Sequence, residues 1–559
     1  MTQTILSTFK RRRGYVLALT TAAVLAACTS ANNYPADQSS ATTATRAATV
    51  SPSKGYLAPS AAYRSLEATA SHPPQRERYP GFAENGWQRV AEAPLSTIAM
   101  EVDTAAYSRL RRMINDGHLP PREALRIEEL VNYFDYRYPA PADPAKPFAV
   151  SANVLPSPWN AETRLLHVGI KAWEPERPSE RPPANLVLLV DVSGSMKGGD
   201  RLPLVKRALR LLVGQLRPDD HVALVVYAGA AQVLLEPVPG SRKERVERKI
   251  DGLRAGGSTA GGAGLNLAYQ LAQKHFDAES VNRVLLFSDG DFNVGRSDSV
   301  SIGELIATKH KTGVYLSVFT VGTGNLNDRI AQSLAQQGNG IAAYLDGVGE
   351  ARRLFEDQLT ATLTPVANDV KSQIEFNPQQ VAEYRLVGYE TRRLADRDFT
   401  DDRVDAGEVG SGHSVTLLYE FRPTNQAITT RSLRYQSANA SDKGKTTRES
   451  LDDGKAGEFA FLSIRYKLPG QHDAHELARA IGSSDTHDSL AESPREARFA
   501  TAVAAFGLAL RNASGLGDYN LSQVARLAES ARGPDPRGER AEFLRLVRDA
   551  ESLLQTSRR

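Results

Sequence analysis

Asp191, Ser193 and Ser195 bring one carboxylate and two hydroxyls together within a single short turn. Oxygen donors of this kind suit a hard divalent cation such as magnesium, which keeps several waters and accepts few protein carboxylates. Two other segments offer further donors of the same type. The loop Gly256-Gly257-Ser258-Thr259-Ala260-Gly261 supplies Thr259, and Ser288-Asp289-Gly290 supplies a second carboxylate, Asp289. Each fragment also has an ordinary structural use. Asp191 suits a helix N-cap, the glycine-rich loop suits a plain turn, and Asp289-Gly290 is a common turn signal. What favours a shared site is their order along the chain, with two of the three closing buried strands. Asp289, Asp291 and Asn293 also begin like a calcium loop. That pattern breaks down: Gly295 comes one place late, and the position that needs a bidentate Glu holds Val300.

The elements that must carry these residues follow from hydrophobic pattern. Leu186-Val187-Leu188-Leu189-Val190 and Val284-Leu285-Leu286-Phe287 are uninterrupted apolar runs, as expected of strands covered on both faces in a parallel sheet. Leu204, Val205, Ala208, Leu209 and Leu212 then follow at helical spacing. Strand-like stretches at 186–190, 222–227, 284–288 and 314–321 alternate with helix-like stretches at 202–216, 262–275, 301–310, 327–337 and 349–359. A short arm, Gln232 to Leu235, is expected to pair at the sheet edge. This alternation predicts an α/β fold with a doubly wound, mostly parallel sheet over residues 185–360. Open sheets of that class bind ligands beyond the carboxyl ends of their strands, where Asp191 and Asp289 lie.

The three pieces together, Asp-x-Ser-x-Ser, then Thr, then Asp-Gly, resemble the metal-ion-dependent adhesion site of von Willebrand factor type A domains. The resemblance implies that Asp191, Ser193, Ser195, Thr259 and Asp289 hold Mg2+ (or Mn2+ or Ca2+), some directly and some through water. It also implies one coordination position open to a carboxylate, and so a protein partner with an exposed Asp or Glu. The phrases Pro94-Leu95-Ser96-Thr97, Val102-Asp103-Thr104-Ala105-Ala106-Tyr107, Arg126 through Phe134 and Ser157-Pro158-Trp159-Asn160 resemble a narrower bacterial group, the YfbK-like proteins. These carry an extra amino-terminal segment and a carboxyl-terminal domain of unknown function. That resemblance spans residues 81–559 and implies architecture but no reaction.

The 559 residues exceed what one core can hold. The formal charge of +3 is carried by Lys10, Arg11, Arg12 and Arg13, in a stretch without acids, so the rest is nearly neutral. That balance gives no electrostatic case for nucleic-acid binding. The single cysteine, Cys28, closes an apolar segment from Tyr15 to Ala27 that follows those four cations. The layout is that of a secretory signal, too short to span a membrane as a helix. Leu25-Ala26-Ala27-Cys28 resembles a bacterial lipobox, which implies cleavage before Cys28 and a lipid on its thiol. Thr29 in place of Asp implies the outer membrane in a Gram-negative cell. Arg12-Arg13 loosely resembles a twin-arginine signal, and the export route stays open.

The remaining chain divides by texture. Residues 1–27 read as a signal peptide and 28–80 as a flexible tether rich in Ser, Thr, Ala and Pro. Residues 81–184 form a segment with a strand at Ile98–Val102, a helix capped by Asp103 or Thr104, a second helix after Pro120-Pro121, and strands at 148–155 and 165–170. Residues 361–470 hold short strand candidates, including 370–376, 383–389, 414–421, 432–435 and 458–466, which suggest a β-sandwich. Strand-like stretches on both sides of the α/β domain raise the possibility of one sandwich that it interrupts. From His472 the chain is expected to be helical to 559. The acidic run Asp398, Asp401, Asp402, Asp405 and Glu408, followed by His413, reads as a solvated loop, with a calcium loop as the alternative.

The favoured function is an envelope lipoprotein that binds a protein partner through the metal. A magnesium-dependent hydrolase or phosphotransferase is the alternative. It lacks support: no second acid stands two residues after Asp191, no Gly-x-Ser-x-Gly, HExxH or P-loop occurs, and none of the ten histidines lies in the three segments. A structural protein whose metal only stiffens its loops also fits the sequence.

Overall fold

The computed structural model describes residues 77–557 apart from 102, 176, 178, 179, 291–302, 304, 307, 310, 311, 405, 427–456 and 472. Cys28, the signal and most of the tether lie outside the described residues, as do Asp405 and the strand expected at 432–435.

The apolar runs form one six-stranded sheet. Its order is Ala342–Leu345, Val314–Val321, Val281–Ser288, Ala184–Asp191, His221–Tyr227 and Ala231–Pro239. The first five strands are parallel, and Ala231–Pro239 closes the edge antiparallel to His221–Tyr227. Every residue of Ala184–Asp191 and Val281–Ser288 is buried. Helices cover both faces. Leu204, Val205, Leu209 and Leu212 pack on one, and Leu265, Ala268, Tyr269 and Ala272 on the other. This is the doubly wound α/β architecture expected from the alternation of strand and helix.

The chain on either side of this domain builds a second body. One antiparallel sheet runs Gln88–Arg89, Val381–Leu386, Ser414–Pro423, Arg164–Ala172 and Phe148–Pro156. The other runs Arg393–Leu394, Leu95–Ala99, Pro365–Phe376, Glu458–Lys467 and Ala474–Gly482. Each sheet takes strands from before and after the α/β domain. Their facing side chains, among them Ile98, Val168, Ile374, Leu417, Tyr419 and Ile464, make one core. The α/β domain is an insertion in a β-sandwich.

Ala474–Gly482 corrects the expectation of helix from His472. Its Ala, Glu, Leu and Arg residues favour helix in isolation. Pairing residue by residue with Glu458–Lys467 satisfies its backbone as a strand instead, and tertiary context overrides the propensity. Helices begin only at Arg495, with Arg495–Leu510, Leu521–Ser530 and Glu539–Ser557. They pack on the amino-terminal helices Ala105–Asn115 and Ile127–Val131, with Phe134, Phe499 and Phe543 meeting edge to face. Among the described residues no helix is long and apolar enough to cross a membrane.

Asp103 and Thr104 do not cap the first helix with their side chains. Asp103 accepts the Ala342 N–H at 2.9 Å and an Arg392 N–H at 3.0 Å, and Thr104 accepts from Arg353 at 2.9 Å. The Ala106 N–H is met by Glu129 at 2.7 Å. Side chains that local sequence assigns to a cap instead tie the amino-terminal segment to its neighbours.

His167 sits in the sandwich at 1% exposure, its Nε2 2.9 Å from the Tyr138 hydroxyl. Burial pushes its imidazole down to about 4. The unfolded chain takes up a proton below about 6.5, which the folded protein refuses until about 4. Stability should therefore fall as pH drops from 6.5 to 4, with this site contributing up to about 1.4 kcal/mol per pH unit. Denaturant titrations across that window should show this slope, and it should be shallower in His167→Gln.

Candidate metal site at the carboxyl end of the inserted sheet

Asp191 is the last residue of its strand and is fully buried. Its Oδ1 accepts the Ser193 N–H at 2.8 Å, and its Oδ2 accepts the Ser288 hydroxyl at 3.3 Å. Burial raises the Asp191 pKa, and the charge of Asp289 adds to the rise, while bonds from Ser193 and Tyr227 oppose it. The chain then enters a short 3-10 turn, Gly194–Lys197. Within it the Ser195 hydroxyl comes 3.0 Å from that of Ser193. Two hydroxyls and a carboxylate thus converge over a single strand end.

The loop that carries Thr259 is drawn to the same place by its backbone. Gly194 N–H donates to Gly257 O at 2.9 Å, Gly256 N–H to Val192 O at 2.8 Å, and Ala260 N–H to Ala228 O at 2.7 Å. Thr259 itself is half-buried in that loop.

Asp289 follows the neighbouring parallel strand and is fully buried. Its Oδ2 accepts the Asn325 amide at 2.9 Å and the Arg201 guanidinium at 3.1 Å. Arg201 also donates to Ser195 O at 2.6 Å, Thr323 O at 2.7 Å and Asn325 Oδ1 at 3.1 Å. One guanidinium therefore joins the Asp191–Ser195 turn, Asp289 and the Gly322–Asp328 loop. Two glycines permit this closeness. Gly290 has φ +86°, and a Cβ there would stand 2.9 Å from Asn327 N. Gly322 has φ +79°, and a Cβ there would meet Arg201 Nε at 2.5 Å.

The donors brought together are hard oxygens: two carboxylates and a group of hydroxyls. That set fits Mg2+, Mn2+ or Ca2+ and not a metal that selects thiolate or imidazole. Among the described residues no three of His, Cys, Asp and Glu gather as a metal-binding group. A cation held here would rely on two carboxylates, hydroxyls and water, a ligand set that suits magnesium. Arg201, Asn325, Ser288 and Tyr227 were not singled out by sequence reasoning. The signal for Asn325 was the run Gly322-Thr323-Gly324-Asn325 directly after a buried strand. Arg201 carried no comparable signal.

Among the described residues, the carboxylates of the acidic run at 398–408 do not gather as a metal-binding group. Asp401 pairs with Arg403 at 2.7 Å, and Asp402 with Arg465 at 2.9 Å. Asp398 accepts the Ala395 N–H at 3.1 Å, and Glu408 lies 3.4 Å from Arg283. These carboxylates spread over different cations and backbone groups.

Residues 186–291 match the von Willebrand factor type A domain, residues 73–167 match a segment described as von Willebrand factor, and residues 361–553 match the carboxyl-terminal domain of the uncharacterized protein YfbK. The chain is 40% identical to uncharacterized protein YfbK of Escherichia coli K12 over 502 residues, covering 88% of this chain and 85% of that one. It is 29% identical over 213 residues to uncharacterized protein sll0103 of Synechocystis, covering 37% of this chain and 49% of the relative. Among solved structures, a von Willebrand factor type A protein from Catenulispora acidiphila aligns with a TM-score of 0.40 at 14% identity, over 71% of this chain and 89% of that one.

Gly290→Ala should place a side chain against the Asn327 backbone at a φ that L-residues rarely adopt. The expected cost is about 1–3 kcal/mol, read as a lower midpoint in chemical denaturation.

Proposed function

The chain belongs to the YfbK family of proteins with a von Willebrand factor type A domain, and on that premise we propose that it binds a partner protein through a divalent cation. Asp191, Ser193, Ser195, Thr259 and Asp289 are the proposed holders of Mg2+, with Mn2+ or Ca2+ as substitutes. The observation that carries the reading is the convergence of two buried carboxylates and the paired hydroxyls of Ser193 and Ser195 at the carboxyl ends of two central strands.

Charge balance gives the chemistry of the partner. Asp191 and Asp289 supply two negative charges, and Arg201 offsets one of them through its 3.1 Å pair with Asp289. A divalent ion bound there supplies a surplus positive charge, which an Asp or Glu side chain of a partner is suited to neutralise. The partly dry setting strengthens that attraction relative to water. Binding is favoured over turnover because a hydrolytic site needs a general base or nucleophile placed for attack. Here both carboxylates are engaged in holding the site, and the three segments contain no histidine.

In this reading the body is fixed to the cell envelope, at the outer membrane, by a lipid on Cys28. An acyl chain contributes about 0.8 kcal/mol per buried methylene.

Calorimetric titration of Mg2+ and Mn2+ into the full chain tests the metal. Saturable binding is expected in the wild type. Asp191→Ala should lose it with unchanged circular dichroism. Asn325→Ala should weaken it about 10–100-fold, the usual effect of removing a group that orients a ligand. A wild type that takes up neither ion contradicts the proposal.

A further inference from the structure

Glu77, Arg78 and Tyr79 precede the first strand, yet they are bound tightly to the site loop. The Glu77 side chain is only 4% exposed. Its Oε1 accepts the Gly324 N–H at 3.0 Å and an Arg112 N–H at 3.1 Å, and its Oε2 accepts the Tyr79 hydroxyl at 2.5 Å. Arg78 N–H donates to Leu326 O at 2.8 Å, and its carbonyl accepts the Asp328 N–H at 3.0 Å. Together these make a short parallel bridge between Arg78 and Asn327. Arg112 also donates to Gly322 O at 3.2 Å and lies over the Tyr344 ring.

The loop held in this way, Gly322–Asp328, carries Asn325, whose amide orients Asp289, and Thr323, whose carbonyl anchors Arg201. At its end Asp328 is fixed by the buried Arg109 and Arg126. The loop is therefore held at Gly324 by Glu77, and at its Leu326–Asp328 end by the Arg78 backbone and the Asp328 ion pairs. A carboxylate withdrawn from water is costly unless its bonds are made. Burial works to raise the Glu77 pKa, and the Tyr79 hydroxyl, Arg112 and Gly324 outweigh it and leave it lowered. The Gly324 bond among them is made with the loop in the position that presents Asn325 to Asp289. The segment and the site loop thus favour one shared arrangement.

We propose that Glu77–Tyr79 is a strap that positions the Gly322–Asp328 loop, so that the affinity of the cation site depends on whether the strap is seated. This rests on the metal reading above. Glu77 is a positioning residue: it acts on Asp289 through Gly324, Asn325 and Arg201. The strap is the last part of the 28–80 segment expected to be a flexible, lipid-anchored tether; residues 77–79 are instead bonded to the body, so load on that anchor reaches the strap before the rest of the body.

The test uses the full chain with Glu77→Ala, Glu77→Gln and Arg78→Pro, the last removing the N–H given to Leu326. Mn2+ titration is read beside hydrogen–deuterium exchange of peptides covering 322–328. Glu77→Ala and Arg78→Pro should speed exchange in that loop and weaken Mn2+ about tenfold, the low end for an orienting group. Glu77→Gln, which keeps an acceptor, should recover part of both effects. Circular dichroism and exchange in the sandwich should not change. Wild-type Mn2+ affinity in Glu77→Ala and Arg78→Pro, or unchanged loop exchange, overturns the strap while leaving the metal reading intact. A wild type that binds no Mn2+ overturns the metal reading and the strap's role with it.

Discussion

Two like charges, Asp191 and Asp289, are held at the ends of adjacent parallel strands and are almost wholly withdrawn from water. Burial, and with it the charge of Asp289, raises the cost of ionising Asp191. Much of the local structure answers this one constraint. The Ser193 amide and the Ser288 hydroxyl bond Asp191, and Asn325 and Arg201 bond Asp289. Arg201 brings one positive charge. The cation proposed above would bring a second positive charge to the same place, beside the hydroxyls of Ser193 and Ser195.

The surrounding architecture keeps that arrangement from relaxing. The α/β domain is inserted in the sandwich, so both of its chain ends are fixed, the first through Arg164–Ala172 and the second through Pro365–Phe376. The amino-terminal helices add buried ion pairs, with Arg109 and Arg126 on Asp328 and Arg111 on Asp346 and Glu350. Buried pairs are poor sources of net stability against apolar replacements. Their value here is positional: each charge has only one place where its desolvation is compensated, and the pairs on Asp328 fix the end of the loop beside Asp289.

How much of this was legible in the sequence follows from how local each signal is. The strand ending in Asp191 announced itself because burial on both faces demands an unbroken apolar run. The Gln232–Leu235 arm and the helices over 202–216 and 262–275 were equally local in origin. The helix Lys243–Asp251 passed unnoticed because only Val246 and Ile250 face the core. Ala474–Gly482 was misjudged because its conformation is imposed by a partner strand and not by its own residues. The ligand types and their order were visible in the site. Arg201 was not, since its importance lies in contacts across long stretches of chain, which no spacing encodes, and Asn325 was marked only by the glycine-rich run Gly322-Thr323-Gly324 after a buried strand.

The most direct measurement is a crystal structure of the protein grown with Mn2+ and phased at the manganese edge. The account predicts one anomalous peak beside Ser193 and Ser195, between Asp191 and Asp289, with Arg201 still on Asp289. A manganese peak elsewhere, or none at these strand ends in well-ordered crystals, would contradict it.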